Sequence, residues 1–229
     1  MKKIRWLSAG WPLSISDISQ KFLLNQYSED KGKGFLLSSS GSKKISGRYI
    51  EKNMDKSLIT DPFGNEQEFF TISYYIVQFH INSSSNMLEL TDPPRSLRKF
   101  ISEMHCLLGL GLELSEFNIN PFIWLSNIEQ KLAPMIVTNI SSTGIRIADN
   151  GLAKISVSGK KDIRKEFEKI IHDKPHEIES IKFLGIINDC NIVIEINKCG
   201  LAKLNGHIYD GLIQEIRSCL ESVFTEKNK

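Results

Sequence analysis

Little in this chain points to a reaction. No Gly-Lys-Ser/Thr loop precedes a helix, so Gly32, Gly34 and Gly41 with Lys43 and Lys44 do not make a phosphate loop. Gly109, Leu110 and Gly111 follow a helical stretch and lack the third glycine of a dinucleotide turn. The four cysteines, Cys106, Cys190, Cys199 and Cys219, are scattered and form no disulfide framework or metal spacing, which fits reduced thiols in a cytoplasm. No apolar run approaches the roughly 20 residues of a membrane-spanning helix. Lys2, Lys3 and Arg5 precede Trp6 and Leu7, but Ser8, Gly10 and Pro12 break the apolar stretch and no small-residue cleavage site follows, so residues 1–13 are not read as a signal peptide. Overall charge is nearly balanced, at +2. Its distribution is uneven: residues 1–60 carry a net +6, residues 61–150 a net −5 and residues 151–229 a net +1. Such a basic part could steer an anionic partner, or meet an acidic surface.

What the chain does have is core. Its 229 residues are 41% hydrophobic, enough for one large domain or two small ones without metal or disulfide support. A strand at residues 3–7 precedes a helix capped by Ser14, with Asp17 three residues on and Ile15, Ile18 and Phe22 on one side. Residues 34–40 and 45–51 flank Ser40, Gly41 and Ser42 as a hairpin. Asp61, Pro62, Phe63, Gly64 and Asn65 form a turn, since proline presets φ and glycine accepts positive φ. Residues 69–81, rich in Tyr, Ile, Val and Phe, are the best strand of this half and lead to another at 87–91. A helix is expected from Asp92, Pro93 and Pro94, with Leu97, Phe100, Ile101, Met104, Leu107 and Leu108 at helical spacing. Asn120 and Pro121 open another, ending near Leu132.

Residues 135–147 read as a strand pair or a bent strand around Ser141 to Gly144. A strand at 153–158, a helix carrying Ile163, Phe167, Ile170 and Ile171 up to Lys174 and Pro175, and strands at 178–187 and 191–197 around an Asn188–Asp189 turn then follow. Residues 201–204 and a last helix with Ile208, Leu212, Ile216, Leu220 and Val223 complete the chain. The expected fold is therefore α+β: two tandem modules of antiparallel sheet, each strand–helix–strands–helix, with helices on one face and the other face free. Residues 1–108 and 151–229 are the modules, and residues 109–150 connect them.

Several residue groups imitate catalytic sets. His172 and His176 are four apart, but Pro175 breaks the helix that such a metal pair needs. Asp189, Glu195 and Lys198 resemble a nuclease core, yet a gap of three sends Glu195 and Lys198 to opposite faces of a strand. Ser40 with Lys43, and Ser158 with Lys161, match a Ser-x-x-Lys spacing in turn-like stretches where it recurs by chance. No catalytic residue, metal or cofactor is expected.

Three basic clusters remain: Lys43, Lys44, Arg48, Lys52 and Lys56 over the first hairpin; Arg95, Arg98 and Lys99; and Lys160, Lys161, Arg164, Lys165 and Lys169. The last is interleaved with Asp162, Glu166 and Glu168, the pattern of a solvated helix face. Lys43, Lys44, Arg48, Lys52, Arg95, Arg98, Lys160, Lys161, Arg164 and Lys165 are the nucleic-acid-binding candidates. On the strand at 69–81, alternation puts Tyr75 and Phe79 on one face with Val77, and Tyr74 and His80 on the other with Ile76, a candidate stacking platform for bases. Trp6, Trp11 and Trp124 are packing residues.

The twice-occurring element order resembles the duplicated saddle of the TATA-binding protein, whose concave sheet face binds DNA and whose relatives use it for protein partners. The stretch from Lys161, Asp162 and Ile163 through Ile170 and Ile171, with Pro175 and the closing helix from Ile208, resembles the C-terminal part of phage-exclusion proteins of the lambda Rex type, which bind DNA non-specifically. The resulting expectation is a cytoplasmic, non-catalytic binding protein, a subunit or sensor of a nucleic-acid-associated assembly such as anti-phage defence, with a protein partner or a second copy and no membrane. The alternatives are a protein–protein scaffold without nucleic acid, and a metal-dependent nuclease with a degenerate site.

Overall fold

The computed structural model describes residues 1–148, 151–172, 174–187 and 190–227. The turn expected at Asn188 and Asp189 lies outside these. The fold is α+β, with five helices and eleven antiparallel strands, 25% helix and 49% strand. The chain divides into two compact units: Leu7–Ser115, and Met1–Trp6 with Glu116–Lys229. Strand β1 (Lys2–Gly10) contributes to both.

The unit Leu7–Ser115 continues through α1 (Ile15–Leu24), β2 (Lys33–Ser40), β3 (Lys44–Thr60), β4 (Glu66–Asn82), β5 (Met87–Thr91), α2 (Arg98–Leu108) and β6 (Glu113–Glu116). Its strand order is β2-β3-β4-β5-β1, with β6 beside β1. Helix α1 starts where Ser14 Oγ accepts the Asp17 amide at 3.2 Å, while the Ser14 hydroxyl donates to the Asp17 carboxylate at 2.7 Å. The two helices put Ile18, Phe22, Phe100 and Met104 into one core with Phe35, Ile45, Tyr49, Val77, Phe79, Ile81 and Leu90. Phe22 stacks on Phe35 with ring centroids 4.4 Å apart, and Phe100 leans on Phe79 at 5.8 Å. Strand β2 lies so close that a Cβ on Gly47 would meet the Leu36 carbonyl oxygen at 2.7 Å.

The other unit contains α3 (Pro121–Lys131), β7 (Ile136–Ala148), β8 (Gly151–Ser158), α4 (Arg164–Ile171), β9 (Glu177–Ile187), β10 (Cys190–Asn197), β11 (Leu201–Gly206) and α5 (Asp210–Lys227). Its strands follow the order β1-β11-β10-β9-β7-β8. Asn120 caps α3 by accepting the Phe122 amide at 2.9 Å. Trp124 meets Trp6 edge to face at 5.9 Å and donates its indole N–H to the Ile216 carbonyl at 3.0 Å, tying α3 to α5. Across the sheet, Leu204, Ile194, Phe183 and Val137 fall in one buried row.

Strand, helix, strands, helix describes both β1 to α2 and β8 to α5. Strand order differs between the units. Strand β1, which precedes α1, lies beside the last strand β5, whereas β8, which precedes α4, is an edge strand beyond β7. The α+β class is as expected, and the expected order of a duplicated saddle is not confirmed, since the two units arrange their strands differently.

Some boundaries depart from expectation. Helix α2 begins at Arg98, not at Asp92, which takes a left-handed φ of 43°. The last helix starts after Ile208, at Asp210. The expected strand pair or bent strand at residues 135–147 is one irregular strand, Ile136–Ala148, with a shift in its pairing to β8 between Ser142 and Ile145. Strand β3 runs nine residues past Glu51, to Thr60.

Candidate nucleic-acid interface

The overlong hairpin dominates what is exposed in the unit Leu7–Ser115. Strands β3 and β4 are 17 residues each. Strand β2 pairs with β3 only up to Glu51, and β5 reaches β4 only between Gln78 and Ile81. Past the Lys52 amide, which donates to the Gly32 carbonyl at 2.7 Å, the hairpin pairs only with itself among the described strands, a two-stranded ribbon closed by the turn at residues 61–65. That turn is tightly made. The Asp61 carboxylate accepts the amides of Phe63 at 2.8 Å and Asn65 at 2.9 Å and the Asn65 side-chain N–H at 2.9 Å, while Gly64 takes a φ of 86°. The Asn65 side-chain bond, with the backbone amides, holds the Asp61 carboxyl below its ordinary value.

Alternation sorts the hairpin into two faces. Ile45, Gly47, Tyr49 and Glu51 share a face with Ile81, Phe79, Val77 and Tyr75, and this is the side that α1 and α2 cover. Lys44, Arg48, Lys52 and Lys56 lie on the opposite face, directly across from Asn82, Gln78, Tyr74 and Phe70. One cation therefore recurs every fourth residue, about 13 Å apart along the strand. Between them sit Ser46 and Ile50, both buried, and exposed Met54, with Leu58 beyond Lys56. Tyr74 is 49% exposed and Phe70 61%.

The stripe is lightly neutralised. Lys52 reaches Glu29 at 3.0 Å, a hydrogen bond that raises the lysine and lowers the carboxyl. Lys56 meets Glu68 at 2.5 Å, both side chains about half exposed. Lys44 and Arg48 join none of the ion pairs among the described residues. His80, on the same face, shares a 2.9 Å contact with Ser46 Oγ. The covered side is different. There Lys99 bonds Glu51 at 2.6 Å and Tyr49 donates to the same carboxylate at 3.0 Å. Burial alone would raise Glu51, but these two donors outweigh it and the carboxyl ends below its ordinary value. Burial, with that hydrogen bond, pushes the Tyr49 hydroxyl far up.

The remaining basic candidates do not join the stripe. Lys43 lies in the β2–β3 turn, exposed. Arg95 and Arg98 are exposed at the start of α2, which packs on the hairpin's other side. Lys160, Lys161 and Lys165 are exposed around the start of α4, in the other unit. Arg164 is occupied locally, donating to Glu129 at 2.5 and 3.2 Å and to the Met135 carbonyl at 2.8 Å. The sorting of Tyr75 and Phe79 inward and Tyr74 outward is as alternation requires. Phe70 and Met54 were not singled out by sequence. Their signal is the period of four in the cations, visible only once β3 is extended past Glu51.

On the free sheet face of the other unit many polar groups are paired, while Ile136, Leu184 and Ile186 of the same face are exposed. Lys203 bonds Glu195 at 2.7 Å, Asn139 donates to Ser156 and Ser158, and Thr143 donates to Glu179 at 3.0 Å. Lys198 holds Glu179 at 2.6 Å and Glu177 at 3.0 Å. Glu195 and Lys198 thus have separate partners. His176 Nδ1 contacts the Lys174 carbonyl at 2.8 Å, and His172 ends α4 in a left-handed conformation. Among the described residues no three His, Cys, Asp or Glu side chains group as metal ligands. No helix among them is long and apolar enough to cross a membrane.

Chemically, the ribbon offers point charges for phosphates beside exposed rings for bases. No protein-family model matches this chain, and comparison with curated proteins finds no relative.

Proposed function

We propose that this chain is a non-catalytic nucleic-acid-binding protein, a subunit or sensor of a larger assembly, and that the stripe face of the β3–β4 ribbon is its binding surface. One observation carries the proposal: four cations at every fourth position of β3, with Tyr74 and Phe70 exposed across from two of them. Solvent screens exposed ion pairs such as Lys52–Glu29 and Lys56–Glu68, so a phosphate can displace the carboxylates readily. Rings that stand free of the core stack on bases that are themselves unstacked, which favours single strands over duplex. The four free cysteines suit a reducing cytoplasm. A place in anti-phage defence has the resemblance to phage-exclusion proteins as its sole support.

The test is fluorescence anisotropy with a labelled oligonucleotide, single-stranded or duplex, between about 50 and about 200 mM salt. Binding should weaken steeply with salt and favour the single strand. Replacing Lys44, Arg48, Lys52 and Lys56 together by Gln should flatten the salt slope by about 3 on a log–log plot. Absence of salt-dependent binding to either form overturns the proposal. A protein–protein scaffold is the second reading, favoured by Met54, Leu58 and Ile72, which are each more than half exposed on the same ribbon.

A further inference from the structure

The ribbon has an edge as well as a face. On the side away from β3, residues 66–77 of β4 have no strand beside them among the described residues. Residues 69–77 read Phe, Phe, Thr, Ile, Ser, Tyr, Tyr, Ile, Val: nine residues without a charge, a proline or a glycine. Exposed edges are ordinarily guarded by charge, bulges or short length. Other edges of this protein are guarded in that way: edge strand β2 begins at Lys33 and is bulged between Leu37 and Ser39. The outer part of β3 carries Lys52, Asp55 and Lys56. Edge strand β8 carries Lys154 and pairs irregularly with β7. Only this stretch of β4, among the described strands, is long, uncharged and bare.

We propose that two copies of this chain join here, β4 against β4 of the second copy, antiparallel about a twofold axis at Thr71. Several observations select this occupant. The charges on residues 66–77 are Glu66 and Glu68, both at one end. Antiparallel pairing sends them to opposite ends of the joint, whereas parallel pairing would set them side by side. With Thr71 facing its own copy, Phe70 faces the second copy's Ile72, and Glu68 faces the second copy's Tyr74. Like residues of the alternation stay on one face, so Phe70, Ile72 and Tyr74 of both copies form a continuous apolar strip. A lone two-stranded ribbon is marginal in water, and four strands with an apolar strip are not. The cation stripes then lie on the outer strands of the same face, about 14 Å apart. The pairing deepens the binding proposal by naming a partner, yet it uses the ribbon edge and needs no nucleic acid.

The test is sedimentation equilibrium on nucleic-acid-free protein at tens of micromolar, with Cys106→Ser as the background for cross-linking because Cys106 is exposed. The wild type should be a dimer and Thr71→Lys a monomer with an unchanged circular dichroism spectrum, since two lysines would meet at the axis. Thr71→Cys should form a disulfide-linked dimer under mild oxidation. Phe63→Cys, at the ribbon tip, should not, because antiparallel joining puts the two tips about 50 Å apart. A monomeric wild type, a dimer that survives Thr71→Lys, or cross-linking through position 63 in place of 71 overturns the proposal. A dimer without oligonucleotide affinity keeps the pairing and removes only the nucleic-acid proposal.

Discussion

Two free sheet faces, built from the same alternation, both expose apolar side chains (Ile136, Leu184 and Ile186 on one, Met54, Phe70 and Ile72 on the other) and differ in how far their polar groups are paired. In the unit containing β7 to β11, lysine meets glutamate and asparagine meets serine across neighbouring strands, so the face answers its own polar groups. On the β3–β4 hairpin the free face keeps Lys44 and Arg48 without ion pairs among the described residues, and leaves Tyr74, Phe70, Ile72 and Met54 exposed. A face whose groups are already partnered gains little from a ligand. A face with unanswered charge and bare rings gains from both. The proposed binding surface therefore rests on the degree of polar pairing and not on the architecture alone.

The largest break in this comparison is within the hairpin itself. Phe79, fully buried, and Phe70, 61% exposed, belong to the same strand. Phe79→Ala should cost about 3–5 kcal/mol in urea unfolding. Phe70→Ala should cost far less, about 0.2–1 kcal/mol, the range of a cross-strand pair on an open face. Equal costs would mean that the outer ribbon is packed, and the contrast between base and tip would fail. Next comes binding. Tyr74→Ala should weaken oligonucleotide affinity by about 1–3 kcal/mol with no loss of stability. Lys182→Gln, on the free face of the other unit, should leave affinity unchanged.

The third prediction concerns pH. Glu51 is held below its ordinary value in the folded protein by Lys99 and Tyr49. Its contribution is therefore present above the ordinary carboxyl value of 4.5 and is lost as pH falls through the lower folded value. Glu51→Gln should lower stability by about 1 kcal/mol at neutral pH, and its melting curve should converge with that of the wild type near pH 3. A constant gap across that range would remove Glu51 from the acid response. The smallest effect is expected at Glu195→Gln, at most about 0.5 kcal/mol by urea titration, because its pair with Lys203 is about one-third exposed on both sides.

Much of the fold was legible from local chemistry. Ile192, Ile194 and Ile196 alternate and are all buried. Ser14 and Asn120 cap their helices, and the Asp61 turn is where proline and glycine mark it. What local chemistry hides is structure imposed by a neighbour. Lys52, Asn53, Met54, Asp55, Lys56 and Ser57 contain no strong strand former, and they are strand because residues 69–74 pair with them. Strand β6 is four residues long, too short for a pattern. The basic candidates were legible as residues and not as a surface. Arg164 is diverted to Glu129 and the Met135 carbonyl, contacts 35 and 29 positions away that no spacing rule anticipates.

The knot of hydrogen bonds around Asp61 has a bearing on everything downstream of it. The period of a strand is two, so a slip of one residue in the β3–β4 pairing would carry Lys44, Arg48, Lys52 and Lys56 to the wrong side relative to Tyr74 and Phe70. Along the outer ribbon nothing buried opposes such a slip. The carboxylate that clasps Phe63 and Asn65 sets the phase of the hairpin from its far end, as the first tooth of a zip decides how all the others mesh.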